Sequence, residues 1–293
     1  MVKKINGKEV LFVSFSGGRT SAYMCWWLIN NKSDQYHFIF VFANTGLEHE
    51  KTLDFVHRCA QEWGFNVVWL EAVVHHGEKK GCSHKVVSYD TAARSGEPFI
   101  EVIKKYGIPN KSYPHCNREL KLNPMFSYKR SLGFASNHSM AVGIRIDEID
   151  RVGVKAKEHG VIHPLISMQP TTKAEVRHWW SDQPFDLDLP EHLGNCVTCW
   201  KKSTRKLMTI AKHAPHYFTF NRDMEREHST AGAGEDARVF FRENRSTQDI
   251  FDLAGQPFNE FVDYMPELQM GLVFDIDALD REEDCGGSCD IAA

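Results

Sequence analysis

Two groups of residues in this 293-residue chain have types and spacing that suit chemistry. The first is Ser16-Gly17-Gly18-Arg19-Thr20-Ser21, which follows a short apolar run ending at Phe15. Glycines let the backbone turn tightly and approach a ligand closely. A helix opening there would present unpaired N–H groups and a partial positive charge to an anion. The Ser16 and Ser21 hydroxyls can donate to phosphate oxygens. The pattern is neither the Walker A loop, which needs Gly-Lys-Ser/Thr, nor the dinucleotide Gly-x-Gly-x-x-Gly fingerprint. A plain turn between strand and helix is the alternative reading of the glycine pair.

The second group is made of cysteines. Cys196-Val197-Thr198-Cys199 is a close pair, and Cys116 lies 80 residues before it. A lone Cys-x-x-Cys is compatible with a thioredoxin-like redox pair, half a zinc site, or part of an iron–sulfur site. Cys25 and Cys59 fall on apolar helical faces and read as packing residues. Cys82, with His75, His76 and His84 nearby, suits either a metal site or a solvated loop. Trp200 to Lys206 carries four cations, Lys201, Lys202, Arg205 and Lys206. They suit nucleic-acid phosphates, a nucleotide or a partner, or else a solvated helix face.

The elements that must position these groups follow from apolar periodicity. Glu9–Phe15, Tyr36–Ala43, Phe65–Leu70 and Met140–Ile144 read as strands. Their near-continuous apolar character implies a sheet covered on both faces, as in parallel sheets. Ser21–Asn30 and Glu48–Trp63 read as crossover helices, the second with Leu53, Val56, Ala60 and Trp63 at helical spacing. The expected fold is therefore α/β, a doubly wound, Rossmann-like parallel sheet with a C-terminal extension. The expected division is 1–212 for a nucleotide-binding domain holding the Cys116/Cys196/Cys199 site, and 213–293 for the extension. From Val73 to Pro114 the periodicity fails and a long loop is expected. Lys173–Trp180 reads as a short helix and Pro184–Gly194 as irregular. The stretch after Lys212 is polar and mixed, ending in a tail with Cys285 and Cys289.

Bulk properties narrow the function. The composition is that of an ordinary globular protein, 42% hydrophobic and 25% charged. A formal charge of −4 argues against a surface coated in positive charge for bulk nucleic-acid binding. There is no apolar run of the roughly 20 residues that span a bilayer, so no membrane association is expected. The opening residues are too quickly polar for a secretory signal, and a cytoplasmic location is the expectation. In that setting the eight cysteines suggest metal or redox chemistry rather than disulfides.

Ser16 to Ser21 resembles the PP-loop of ATP pyrophosphatases, in the branch of phosphoadenosine phosphosulfate (PAPS) reductases and related thiolation enzymes. Phe42-Ala43-Asn44-Thr45-Gly46-Leu47-Glu48 is similar to that family's Asn/Asp-Thr-Gly turn. Gly143-Ile144-Arg145-Ile146-Asp147-Glu148 resembles its Gly-x-Arg-x-x-Glu segment, and His163-Pro164-Leu165 through Trp180 its Pro-Leu segment and following helix. The likeness covers roughly residues 9 to 210. It implies an adenine nucleotide alpha hydrolase type of fold. It also implies contacts to ATP or an adenylyl nucleotide, with Mg, from Ser14, Ser16, Gly17, Gly18, Arg19, Thr20, Ser21, Asn44, Thr45, Gly143 and Arg145. Arg145, just past a strand end, also lies where ligands collect in open α/β sheets. Its forked charge suits phosphate or sulfate, with an ion pair to Asp147 or Glu148 as the alternative.

Iron–sulfur members of that family resemble His115-Cys116-Asn117-Arg118-Glu119-Leu120-Lys121, except that they carry a cysteine where His115 stands. The resemblance implies a 4Fe–4S cluster on Cys116, Cys196 and Cys199, with one iron open or the shell completed by His115 or a tail cysteine. Zinc with three cysteines and a histidine shares this ligand set. Arg118, Lys121, Lys201 and Lys202 are candidate substrate contacts. Asp284-Cys285-Gly286 is similar to the C-terminal Glu-Cys-Gly of PAPS reductases, which makes Cys285, with Cys289, a candidate catalytic thiol; a resolving couple, extra metal ligands or no role are the alternatives for the pair.

Three functions follow. The first is ATP-dependent adenylation of an acceptor followed by sulfur transfer, and the intact Ser-Gly-Gly-x-x-Ser favours it. The second is reduction of a phosphosulfate by Cys285, favoured by the tail and the cysteine spacing. The third is a nucleotide- and metal-binding regulator without turnover. The expected partners are a sulfur-accepting or sulfur-carrying substrate, nucleic acid among the acceptors, a sulfur donor or thioredoxin-like reductant, and a second copy of the chain in a homo-oligomer.

Overall fold

A computed structural model describes residues 4–77, 80–232 and 236–263. Strand β1 (Lys4–Ile5) pairs antiparallel with β2 (Lys8–Ser14). Then follow α1 (Arg19–Lys32), β3 (Tyr36–Ala43), α2 (Glu50–Glu62) and β4 (Val67–Val74). β5 (Cys82–Val87) and α3 (Glu97–Tyr106) come next. The sheet runs β5-β4-β3-β2-β6-β7, where β6 is Met140–Val142 and β7 is Val161–Ile162. Its pairings are parallel except for β1 with β2 and β4 with β5. The α/β, mostly parallel sheet expected from the sequence is present.

Side chains alternate across β2, so its two faces feed two cores. Leu11, Val13 and Phe15 pack with Leu28 of α1 and Leu53 and Val56 of α2. Val10 and Phe12 face the other way, toward Leu122, Met125 and Phe134. Both faces being dry explains the unbroken apolar runs of β2 and β3.

The chain moves outward from β2 to β3 and β4, then returns to the other side of β2 as β6. That reversal leaves a crevice beyond the carboxyl ends of β2 and β6, where open α/β sheets place ligands.

The expected loop over 73–114 is corrected by two elements. β5 is a six-residue strand on an antiparallel edge, short enough to be hidden by the polar residues before it. α3 starts with Pro98 in its first turn, ends at Gly107 and buries Phe99, Val102 and Ile103. Four helices follow in chain order, α4 (His115–Asn117), α5 (Asn123–Ser131), α6 (Pro164–Ser167) and α7 (Lys173–Ser181). The described residues after Lys212 are also partly helical. α8 (Thr204–His213), α9 (Thr219–His228) and α10 (Thr247–Ala254) place Leu207, Met224 and Ile250 in one cluster with Val197, Trp200 and Phe218, which precedes α9. Among the described residues no helix is long and apolar enough to cross a membrane.

Candidate functional site: a phosphate-type loop beside a cysteine pocket

β2 ends at Ser14, and the next turn depends on Gly17, whose φ is +81°. A Cβ on Gly17 would lie 2.6 Å from Thr52 Cγ2, so α2 packs directly against the loop. Gly18 caps α1 without a side-chain hydrogen bond, and the first turn of α1 holds no acidic residue. The Ser16 hydroxyl donates to Ser21 Oγ at 2.9 Å, and Ser21 Oγ donates to the Gly18 carbonyl at 3.0 Å. The serines thus brace the loop, while Gly17, Gly18, Arg19 and Thr20 line a cavity of about 390 Å³.

Across the crevice, Gly143 follows β6 and lies so close to α1 that a Cβ would meet Ser21 Cα at 3.1 Å. Arg145 is buried, with Nη1 2.8 Å from Thr20 Oγ1 and Nε 3.0 Å from Asp147. It also pairs with Glu148 at 3.2 Å. The expected ion pair is therefore present, and Arg145 still lines the cavity at the loop.

The opposite wall comes from one face of α7 (Lys173–Ser181) and the irregular segment after it. Lys173, Val176, Arg177, Trp180 and Ser181, at helical spacing, line the cavity. Trp180 Nε1 donates to the Arg19 carbonyl at 3.0 Å, and Arg19 forms a two-point pair with Asp186 at 2.7 and 2.6 Å. Glu191 gathers Lys173, Arg177 and Lys206 at 3.1, 3.3 and 3.3 Å. Burial alone would raise its pKa, but the attraction of these cations outweighs it and holds the carboxyl at about 2. Thr52 Oγ1 is buried on the cavity wall without a hydrogen-bond partner among the described residues. Thr52 and the Glu191 cluster escape sequence reading because their roles come from packing between separate elements, Thr52 against Gly17 and Glu191 against Lys173, Arg177 and Lys206.

Asn44 and Thr45 do not line this cavity. Asn44 is fully buried, donating to Glu71 at 2.7 Å and to the Ala93 carbonyl at 2.9 Å. Thr45 donates to Glu48 at 2.9 Å, and its hydroxyl lies 3.3 Å from Cys196 Sγ.

Thr45 belongs instead to a second, smaller pocket of about 30 Å³, which Cys116, Cys196 and Cys199 all line. The cysteine turn is held to the sheet end by a bridge between Glu48 and Cys196, with the Val197 amide 3.1 Å from the Leu47 carbonyl. Cys116 arrives on a short helical turn, His115–Asn117, that runs into a π-helical turn at Arg118–Leu122. Lys121 also lines this pocket, whereas Arg118 is largely exposed and pairs with Glu119 at 2.7 Å. His115 points to the Gly107 carbonyl at 3.2 Å, and burial pushes its pKa down to about 4.

Three thiols, an apolar lining and the buried Trp200 N–H, which lacks a partner among the described residues, fit a sulfur-rich group. Among the described residues no three His, Cys, Asp or Glu side chains are gathered as a single metal ion requires. The thiols ring the pocket instead.

The basic run after Cys199 is not the solvated face its composition suggests. Lys202 and Lys206 are buried; Lys202 donates to the carbonyls of His192 and Gly194, the latter at 2.8 Å. Lys201 Nζ lies 5.7 Å from the Trp200 ring centroid. Cys82 is buried in β5, and Cys25 and Cys59 lie in the core as expected. Cys285 and Cys289 lie outside the described residues.

Fold and loop together define an α/β protein with an anion-ready glycine loop at a sheet switch point. The chain belongs to the family of the nin region protein ORF290 of Escherichia phage lambda. It is 36% identical to that protein over 203 residues, covering 68% of this chain and 69% of ORF290. Two Methanocaldococcus jannaschii proteins, MJ0973 and MJ0066, are 32% and 27% identical over 123 and 152 residues. Those matches span 42% and 52% of this chain but only 23% and 26% of the two archaeal proteins. No family model matches the chain. Among solved structures, PAPS reductase from Candida auris, in a phosphate complex, aligns at TM-score 0.35 and 15% identity, covering 59% of this chain and 71% of the reductase. The U34-tRNA thiolase NcsA from Methanococcus maripaludis, with its 4Fe–4S cluster, aligns at 0.33 and 15%, covering 77% of this chain and 78% of the thiolase.

Proposed function

We propose that this chain is an ATP-dependent sulfur-transfer enzyme of the PP-loop type. The observation that carries this reading is the adjacency of the two pockets. Gly194 and Asn195 line the cavity behind the loop, and Cys196, the next residue, lines the cysteine pocket. A nucleotide-activated group and a sulfur-bearing group would thus be held on one continuous segment.

ATP would lay its phosphates on the amides at the start of α1, with Arg145 and Thr20 beside them and Mg balancing their charge. An acceptor oxygen attacks the α-phosphorus and pyrophosphate leaves, converting a poor leaving group into AMP. Sulfur then attacks the activated carbon, and AMP departs with the former acceptor oxygen. A 4Fe–4S cluster on Cys116, Cys196 and Cys199 would supply an open iron at which sulfur can bind. Three thiols and an apolar lining in one pocket support a sulfur-rich group there. In this reading residues 1–212 supply most of both pockets, and the C-terminal extension completes them through Asn221 and Phe240 at the cysteine pocket and Asp263 at the loop cavity.

The test has two arms. Protein purified without oxygen should contain about four iron and four sulfide per chain, as one cluster implies. It should also release pyrophosphate from ATP only with an acceptor present. Zinc in place of iron, or no pyrophosphate release with any tRNA, DNA or small-molecule acceptor, would overturn the proposal.

A further inference from the structure

We propose that the indole N–H of Trp200 donates a hydrogen bond to the sulfur-bearing group in the cysteine pocket and sets its reduction potential. This rests on the reading above that the three thiols hold an iron–sulfur cluster. Trp200 follows Cys199 directly and lines the same pocket as all three thiols. It is only 8% exposed, and its Nε1 has no hydrogen-bond partner among the described residues. Buried donors are almost always paired, so the indole N–H is suited to an acceptor held in this pocket.

Two hydroxyls of the pocket are already committed. The Thr198 hydroxyl donates to Asn221 Oδ1 at 2.6 Å, and the Thr45 hydroxyl donates to Glu48. The Trp200 ring is packed in the cluster of Phe99, Leu120 and Phe240, with the Lys201 ammonium 5.7 Å from its centroid. A ring so held keeps its N–H in a constant direction. An indole N–H can only donate, so the partner must be an acceptor. The acceptors that a cluster brings to this pocket are thiolate and sulfide sulfur, both anionic. A donor aimed at such sulfur favours the reduced, more negative state and raises the potential.

Trp200→Phe keeps the apolar ring and removes the N–H. In protein reconstituted anaerobically, iron and sulfide content should match the wild type while the reduction potential shifts to more negative values. In the reduced wild type, electron–nuclear double resonance should detect an exchangeable proton coupled to the cluster, and the variant should lack it. An unchanged potential at unchanged cluster content overturns this proposal and leaves the cluster reading standing. A wild-type chain that takes up no cluster overturns both. Should the variant fail to fold, wild-type protein labelled at the indole nitrogen decides the matter. Coupling of that nitrogen to the cluster supports the proposal, and its absence overturns it.

Discussion

Lys202 Nζ lies 2.8 Å from the carbonyl oxygen of Gly194, inside the protein. The bond joins the turn that carries Cys199 to the wall of the loop cavity, since the Lys202 amide also donates to the Cys199 carbonyl at 3.0 Å. A buried ammonium is expensive to desolvate and persists only where carbonyls or charges receive it. Here that expense ties the two pockets together mechanically.

Lys202→Met should therefore disturb both pockets at once. Leaving the Gly194 and His192 carbonyls unsatisfied costs about 1–3 kcal/mol, partly offset by removing a buried charge. Nucleotide affinity by calorimetry and iron content by metal analysis should fall together. A variant in which only one of them falls would show that the segment does not couple the pockets.

Gly17→Ala combines a disfavoured φ with a Cβ 2.6 Å from Thr52 Cγ2. The strain, of order 1–3 kcal/mol, should lower the melting temperature. Displacing the loop should also weaken ATP binding at least about tenfold, equivalent to 1.4 kcal/mol. Unchanged ATP affinity would remove the loop from the binding site.

The Glu191 carboxyl is held at about 2, below its ordinary 4.5. A depressed carboxyl stabilises the folded state above its unfolded pKa and loses that contribution as pH falls through its folded pKa. Glu191→Gln should therefore cost on the order of 2–3 kcal/mol at neutral pH. The gap to the wild type should close between about pH 4.5 and 2 in urea melts. A gap constant across that window would mean the three cations do not stabilise the carboxylate.

Serine at Cys116, Cys196 or Cys199 should each lower the iron and sulfide content sharply. His115→Gln should leave it nearly unchanged, because His115 turns to the Gly107 carbonyl rather than into the cysteine pocket. Loss of iron in the histidine variant would place His115 in the ligand shell.

Local features were legible without coordinates. The loop at Gly17 and Gly18, the strands on either side of α1, and the burial of Cys25 and Cys59 depend on neighbours along the chain. β5 was missed because a short edge strand carries weak periodicity, and α3 because its apolar face, Phe99, Val102 and Ile103, occupies only 10 residues between polar stretches. The burial of Lys202 and Lys206 was out of reach, because composition says nothing of which carbonyls or carboxylates lie opposite. Asn44 and Thr45 are consecutive, yet they face different partners, Glu71 and Cys196, as successive residues past a strand end can.

The amino-acid order by itself determined a glycine loop between a dry strand and a helix, and a Cys-x-x-Cys following Cys116 at a distance of 80 residues. Backbone permissiveness and apolar alternation act within a few residues, so both are readable from order alone. Only the tertiary structure decided that the three thiols share one pocket, that α7 walls the loop cavity, and that Lys202 lies between them. Those are contacts between segments distant in sequence, set by which faces the sheet and helices bury against one another.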